Sequence, residues 1–184
     1  MISVLLTPGF LSVLEGWTLY QYARKTPFPI VEIGSWVGRS TLFLAHGSLD
    51  GHGQKVYAID TWLGSEEHKG MPELVTLEEK FDHNIASCGF DAPVVKVRGR
   101  SQEIDMSCIP SKIGFLFIDG SHDYDAVKSD FNRFSPRVVQ NGFVAFHDVA
   151  EYAPGVKAFV ENEVPEEWER EIHANSLVVF RRCR

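Results

Sequence analysis

Ile30-Val-Glu-Ile-Gly-Ser-Trp-Val-Gly-Arg-Ser-Thr-Leu42 is the stretch on which the fold turns. Four residues of strand character end in an acid and a glycine, and a second glycine, Gly38, opens an amphipathic helix. Glycine takes up backbone conformations closed to other residues and lets a ligand approach the main chain. Such a turn sits at the carboxyl end of a strand, where open α/β sheets bind nucleotide-like ligands. A dinucleotide fingerprint reads G-x-G-x-x-G and seats a pyrophosphate on the helix N-terminus. Here the spacing is Gly34-x-x-x-Gly38, and Arg39 stands where the third glycine would be. The carboxylate of Glu32 beside the turn repels a phosphate and suits a cationic ligand.

Working outward, strands and helices alternate, which implies a parallel sheet covered on both faces. Phe10, Val13, Leu14 and Trp17 share one face of an N-terminal helix. Ile30–Ile33 is the first strand, 38–46 the first crossover helix and Val56–Asp60 the second strand. Leu74, Leu77, Phe81 and Ile85 mark the next helix, Val94–Val97 the third strand, and Ser101 opens a short helix. Phe115–Asp119 is a continuous apolar run ending in an acid, as in a central buried strand. Tyr124, Val127, Phe131 and Phe134 line the following helix, and the Asn141-Gly142 turn leads into a fifth strand, Phe143–Phe146. Val156, Phe159 and Val160 belong to a last helix closed by Pro165. Trp168–Ile172 and Leu177–Phe180 form a hairpin about Ala174-Asn175. The expectation is an α/β, Rossmann-like, doubly wound and mostly parallel seven-stranded sheet with a C-terminal antiparallel hairpin. It is a single domain over 1–184, with an N-terminal helical segment at 1–27 and a catalytic core at 28–184.

The chain has 184 residues, enough for one sizeable core, and a net charge of −7. That balance argues against nucleic acid as a partner, because such binding needs a basic face. Cys88, Cys108 and Cys183 are odd in number and widely spaced, which reads as reduced thiols and a cytoplasmic setting. The apolar N-terminus has no basic region before it and contains Pro8-Gly9, so no signal peptide is expected. No apolar run approaches the ~20 residues of a membrane span, so no membrane association is expected.

Four strands end in polar residues: Glu32, Asp60, Asp119 and His147-Asp148. In this architecture those ends share one rim, and clustered carboxylates repel unless something positive lies among them. Asp60 is placed to grip ribose hydroxyls or to cap a helix. Ser101-Gln102, taken alone, reads as an N-cap serine opening a helix rather than as an adenine edge. His122, at a loop tip, has the chemistry of a general base. Asp119 and Asp148 together suit a hard cation, whereas His147 suits a softer metal, a base or a structural hydrogen bond.

Glu32–Ser40 resembles motif I of the class I S-adenosylmethionine-dependent methyltransferases, in the small-molecule O-methyltransferase branch related to catechol O-methyltransferase. Val56–Gly64 and Ile118–Asp130 are similar to a bacterial branch acting on sugars and natural products, and the likeness runs from Val31 to Val149. The resemblance implies methyl transfer from S-adenosylmethionine to a hydroxyl oxygen of a small molecule. It implies that Glu32 and Gly34 bracket the methionine moiety with Ser40 near its carboxylate, that Asp60 binds ribose, and that Ser101 and Gln102 flank adenine. Ser35, Trp36, Gly38, Thr61, Trp62, Asp119, Gly120 and Ser121 complete the implied cofactor set. Asp119 and Asp148 would hold magnesium, and His122 falls where the relatives carry a lysine base. His147 departs from the oxygen donor usual at its position and is a second candidate base, so the catalytic set is Asp119, His122 and His147.

The segment 61–70 is long for a strand-to-helix connection and reads as a lid. Trp36, Trp62 and Tyr152 read equally as stacking surface for a sugar or aromatic acceptor and as core residues. The family's habits suggest a homodimer through the N-terminal helix. Two other classes compete: a nicotinamide-dependent oxidoreductase, and a cofactor-binding module without catalysis.

Overall fold

A computed structural model describes residues 2–64 and 75–184. Two helices, α1 (Ile2–Leu6) and α2 (Val13–Lys25), precede β1 (Ile30–Ile33). Then follow α3 (Arg39–Asp50), β2 (Val56–Asp60), α4 (Leu77–Ser87), β3 (Val94–Arg98), β4 (Ile113–Ile118), α5 (Tyr124–Phe134), β5 (Val138–Phe146) and α6 (Pro154–Asn162). The hairpin β6 (Trp168–Ala174) and β7 (Leu177–Arg182) closes the chain.

The sheet has seven strands in the order β3-β2-β1-β4-β5-β7-β6. β1 to β5 pair in parallel, and β7 runs antiparallel between β5 and β6. β1 and β4 are buried at every position because both of their faces are covered. Alternate side chains divide the core. Ile30, Phe115 and Phe117 pack with Leu19, Leu42 and Phe81 of α2, α3 and α4. Val31, Leu116 and Ile118 pack with Val127, Phe131 and Phe159 of α5 and α6. The order reverses between β1 and β4, so the rim beyond these two strands is the place for a ligand.

The structure departs from the sequence reading in several places. The stripe Phe10, Val13, Leu14 and Trp17 faces outward, 45–72% exposed. α2 buries its other side, because Gly16 brings it so close to α3 that an added Cβ would lie 2.4 Å from the Phe43 ring. Ser101 opens a turn rather than a helix. Asn141, at φ 62°, lies inside the longer strand β5, where the pairing with β4 shifts register. The hairpin turns at Asn175-Ser176, one residue later than expected. Leu74 and positions 65–70 of the lid lie outside the described residues.

Candidate active site

The turn after β1 is built on two glycines. Gly34 has φ 87°, and a Cβ there would lie 1.9 Å from the carbonyl oxygen of Asp119, so only glycine lets the ends of β1 and β4 approach. Gly38, at φ 90°, begins α3 in a left-handed conformation. Between them Trp36 has φ 48°, a strained value for a bulky residue. Its peptide is held at both ends: its N–H donates to Asp60 Oδ2 (2.9 Å), and its carbonyl accepts from Trp62 Nε1 (2.9 Å). The same Asp60 oxygen accepts from Ser35 N at 2.8 Å, and Oδ1 accepts from Trp62 N at 2.7 Å. Asp60 therefore braces the glycine turn with three backbone hydrogen bonds. Trp62 is buried against Phe81, a core role rather than a stacking surface.

Glu32 lies under this turn, fully buried. Burial pushes its carboxyl up to about 7, although hydroxyls of Ser40, Thr41 and Ser35 pull the other way. Ser35 and Thr41 donate to Oε2, while Oε1 is buried with no hydrogen-bond partner among the described residues.

Beyond β4 and β5 the side chains converge. His147 is 5% exposed and packed between three carboxylates. Its Nδ1 lies 3.0 Å from Asp119 and 3.2 Å from Asp148, and its Nε2 lies 3.4 Å from Glu15. Burial alone would lower its pKa, but the charge of Asp119 and the hydrogen bonds of Asp119, Asp148 and Glu15 raise it far above the ordinary imidazole value. Both ring nitrogens of His147 thus face carboxylates, which favours its protonated form. His122 is less buried, and its Nε2 meets Asp148 Oδ2 at 2.8 Å. Asp148, at φ 58°, also accepts from the Tyr152 hydroxyl at 2.6 Å. Burial opposes its ionisation, but hydrogen bonds from His122, His147 and Tyr152 hold it well below the usual carboxylate range.

Glu15 was not expected from sequence. It closes a capping box with Ser12 at the start of α2. Its other oxygen accepts from Ser176 N (3.0 Å) and Ser176 Oγ (2.8 Å) and faces His147. Burial works against ionisation, but the bonds from His147, Ser12 and Ser176 outweigh it and bring its carboxyl down to about 2. The only sequence sign was the Ser-x-x-Glu spacing. Asp130 was missed as well: an acid on the buried face of α5, it accepts from Ser101 Oγ and Gln102 Nε2.

The Gly34 turn and the ends of β4 and β5 border a cavity of about 450 Å³. Gly34, Ser35, Trp36, Ser40, Asp119, Gly120, His122, His147 and Asp148, all named from the sequence, line it. Its remaining wall comes from Gly9, Phe10 and Leu11 together with Tyr152 and Ser176. Arg39 ties that N-terminal wall down, donating to the carbonyls of Leu5, Thr7 and Leu11. Glu32 and Gly38 lie behind the turn, and Asp60, Thr61, Trp62, Ser101 and Gln102 lie outside the cavity lining. Ser121 instead accepts from the N–H of Asp123 at 3.2 Å.

Residues 31–149 match the model of a family described as a methyltransferase domain. The chain belongs to that family. The methyltransferase-domain chain is 30% identical over 133 residues to the uncharacterized protein y4gI of Sinorhizobium fredii, covering 71% of this chain and 14% of that protein. It also matches the uncharacterized protein R132 of Acanthamoeba polyphaga mimivirus, at 38% identity over 47 residues, 26% of this chain and 21% of that one. It thus spans only a small part of the length of either relative. Among solved structures, the O-methyltransferase NovP superposes with a TM-score of 0.73 at 17% identity, covering 94% of this chain and 81% of NovP. A structure described as a putative caffeoyl-CoA O-methyltransferase from Staphylococcus aureus gives 0.71 at 18% identity, covering 94% and 84%. CalS11, a TDP-rhamnose 3'-O-methyltransferase, gives 0.66 at 18%, covering 91% and 77%. At these identities the structures establish the shared fold.

Proposed function

We propose that this chain transfers the methyl group of S-adenosylmethionine to a hydroxyl oxygen of a small molecule, a sugar or natural product, with His122 as general base. The observation that carries the reading is the pair His122–Asp148 on the wall of a cavity that also borders the Gly34 turn. Glu32 beneath the turn supplies negative charge for a cationic cofactor and has an oxygen to spare. The acceptor oxygen displaces sulfur in line: the O–CH₃ bond forms, the S–CH₃ bond breaks, and the electron pair leaves with sulfur. Much of the acceleration comes from holding that line. Asp148 holds Nε2 of His122 and so orients the imidazole that would take the acceptor proton. His147 cannot take it while both of its nitrogens serve carboxylates.

Asp119, His147 and Asp148 each present one ligand atom, all within 4.8 Å of one another, and would hold a divalent cation if that ion displaced the Nδ1 proton of His147. Glu15 on the far nitrogen of His147 is the kind of carboxylate that orients a metal-bound imidazole. Two carboxylates and an imidazole suit manganese or zinc more readily than magnesium. Such an ion would make the acceptor hydroxyl more acidic.

The test is release of S-adenosylhomocysteine from S-adenosylmethionine across a panel of nucleotide sugars and phenols. His122→Gln is expected to lower turnover by about 10²–10⁴-fold, with cofactor affinity unchanged. Full turnover in that variant removes His122 from the role. A chain that binds no S-adenosylhomocysteine overturns the reading altogether.

A further inference from the structure

We propose that Asp130 sets the base preference of the cofactor site by fixing which end of the Gln102 amide faces outward. This rests on the methyltransferase reading above. Asp60 ends β2, the position from which an acid reaches ribose hydroxyls in sheets of this kind. β3 is the next strand outward, so a purine on that ribose lies against the segment that leaves β3 toward Ser101 and Gln102. There Ser101 Oγ and Gln102 Nε2 both donate to Oδ1 of Asp130, at 2.6 and 2.7 Å. Asp130 is 2% exposed and belongs to the packed face of α5 that carries Val127 and Phe134.

Burial raises the Asp130 carboxyl to about 6, against the pull of Ser101 and Gln102, so near pH 8 it is a carboxylate. A carboxylate accepts hydrogen bonds and has no hydrogen to give. Only the NH₂ end of a primary amide can meet it. The carbonyl end of Gln102 is therefore turned from Asp130, and it makes no hydrogen bond to a described residue. Gln102 is exposed. An outward carbonyl at the base edge favours the exocyclic amine of adenine and opposes the 6-oxo group of hypoxanthine, where two acceptors would meet.

Calorimetric titration with S-adenosylhomocysteine and S-inosylhomocysteine at pH 8 tests this without any methyl acceptor. The unmodified chain is expected to prefer the adenine compound by about tenfold, the worth of one hydrogen bond exchanged for an unpaired group. Gln102→Ala abolishes the preference. Asp130→Ala brings it to about twofold or less, because the freed amide can turn its NH₂ to the oxo group. Asp130→Asn keeps the size, meets either end of the amide and lowers the preference part-way, so it decides the matter if the alanine variant does not fold. A preference lost in Gln102→Ala but intact in both Asp130 variants overturns the role of Asp130 and leaves adenine at this loop. A preference absent from the unmodified chain, or intact in Gln102→Ala, overturns the proposal. No binding of either compound overturns the cofactor reading beneath it.

Discussion

Asp60 has one duty on view and a second under the proposed function. Its carboxylate would meet ribose, yet it already accepts from three backbone N–H groups of the turn and the β2 exit. Hydrogen bonds to a charged acceptor are worth more than neutral ones. Asp60→Ala is therefore expected to cost about 2–3 kcal/mol of stability in the ligand-free chain, besides weakening cofactor binding. Urea denaturation without ligand reads the first effect; an unchanged midpoint would mean the acid serves only the ligand. Glu32 makes a separate prediction. Its folded pKa is raised from 4.5 to about 7 by burial, so the folded chain holds this proton more tightly than the unfolded one. Stability contributed at Glu32 is complete below the unfolded value, falls as pH climbs through 4.5 to 7, and levels off above. The fall is about 3 kcal/mol for a shift of this size. Comparing stabilities at pH 5 and pH 8, Glu32→Gln should show a smaller loss than the unmodified chain. Some loss remains, because Asp130 is raised in the same direction. Equal losses in the two proteins would place an ordinary carboxylate at position 32. The rim acids were legible because each ends an apolar run. Glu15, which faces His147, and Asp130, which holds Ser101 and Gln102, were not, because they come from helices whose apolar spacing says nothing about which strand end they face.

Among the elements, α5 and the turn after it hold the irregular segment that follows β3. Asp130 takes Ser101 and Gln102, Arg133 donates to the carbonyl of Ile104, and Arg137 donates to the carbonyls of Met106, Ile109 and Pro110. This explains the missing helix at Ser101. A serine there reads as an N-cap, but its hydroxyl is committed to a residue 29 positions away. Strands were easier to read, since a run such as Phe115–Ile118 is specified by its own burial. A tertiary hydrogen bond leaves no periodic trace, and the outward stripe on α2 misled for a related reason. There the small residue Gly16, not the large apolar ones, set the packed face. The Arg137 contacts lead to an expected outcome for Arg137→Met: a loss of about 2 kcal/mol, with three carbonyls released at once. Amide hydrogen exchange should accelerate across 104–110 and stay unchanged in α3. Uniform acceleration through the whole chain would show that Arg137 supports global stability and not this segment.

At the scale of the molecule, the last hairpin completes both the sheet and the site. β7 lies between β5 and β6, with Leu177, Val178 and Val179 fully buried. The Asn175-Ser176 turn reaches α2, where Ser176 bonds Glu15 and Asn175 bonds Ser12. Through Glu15 that turn stands behind His147, so α2, the last hairpin and the end of β5 meet at one imidazole. A chain ended after Pro165 would lose three buried β7 side chains, each worth roughly 1.5–3 kcal/mol, and would bare the edge of β5. That sum matches the whole stability of an ordinary domain. The shortened chain is expected to show no cooperative urea transition. Ser176→Ala is the milder probe: it removes one bond to Glu15 while keeping the backbone one, and should cost about 1 kcal/mol. A shortened chain that still unfolded cooperatively and bound S-adenosylhomocysteine would mean that β1 to β5 and their helices form the stable unit alone. The link from Ser176 through Glu15 to His147 would then refine the site without being needed to build it.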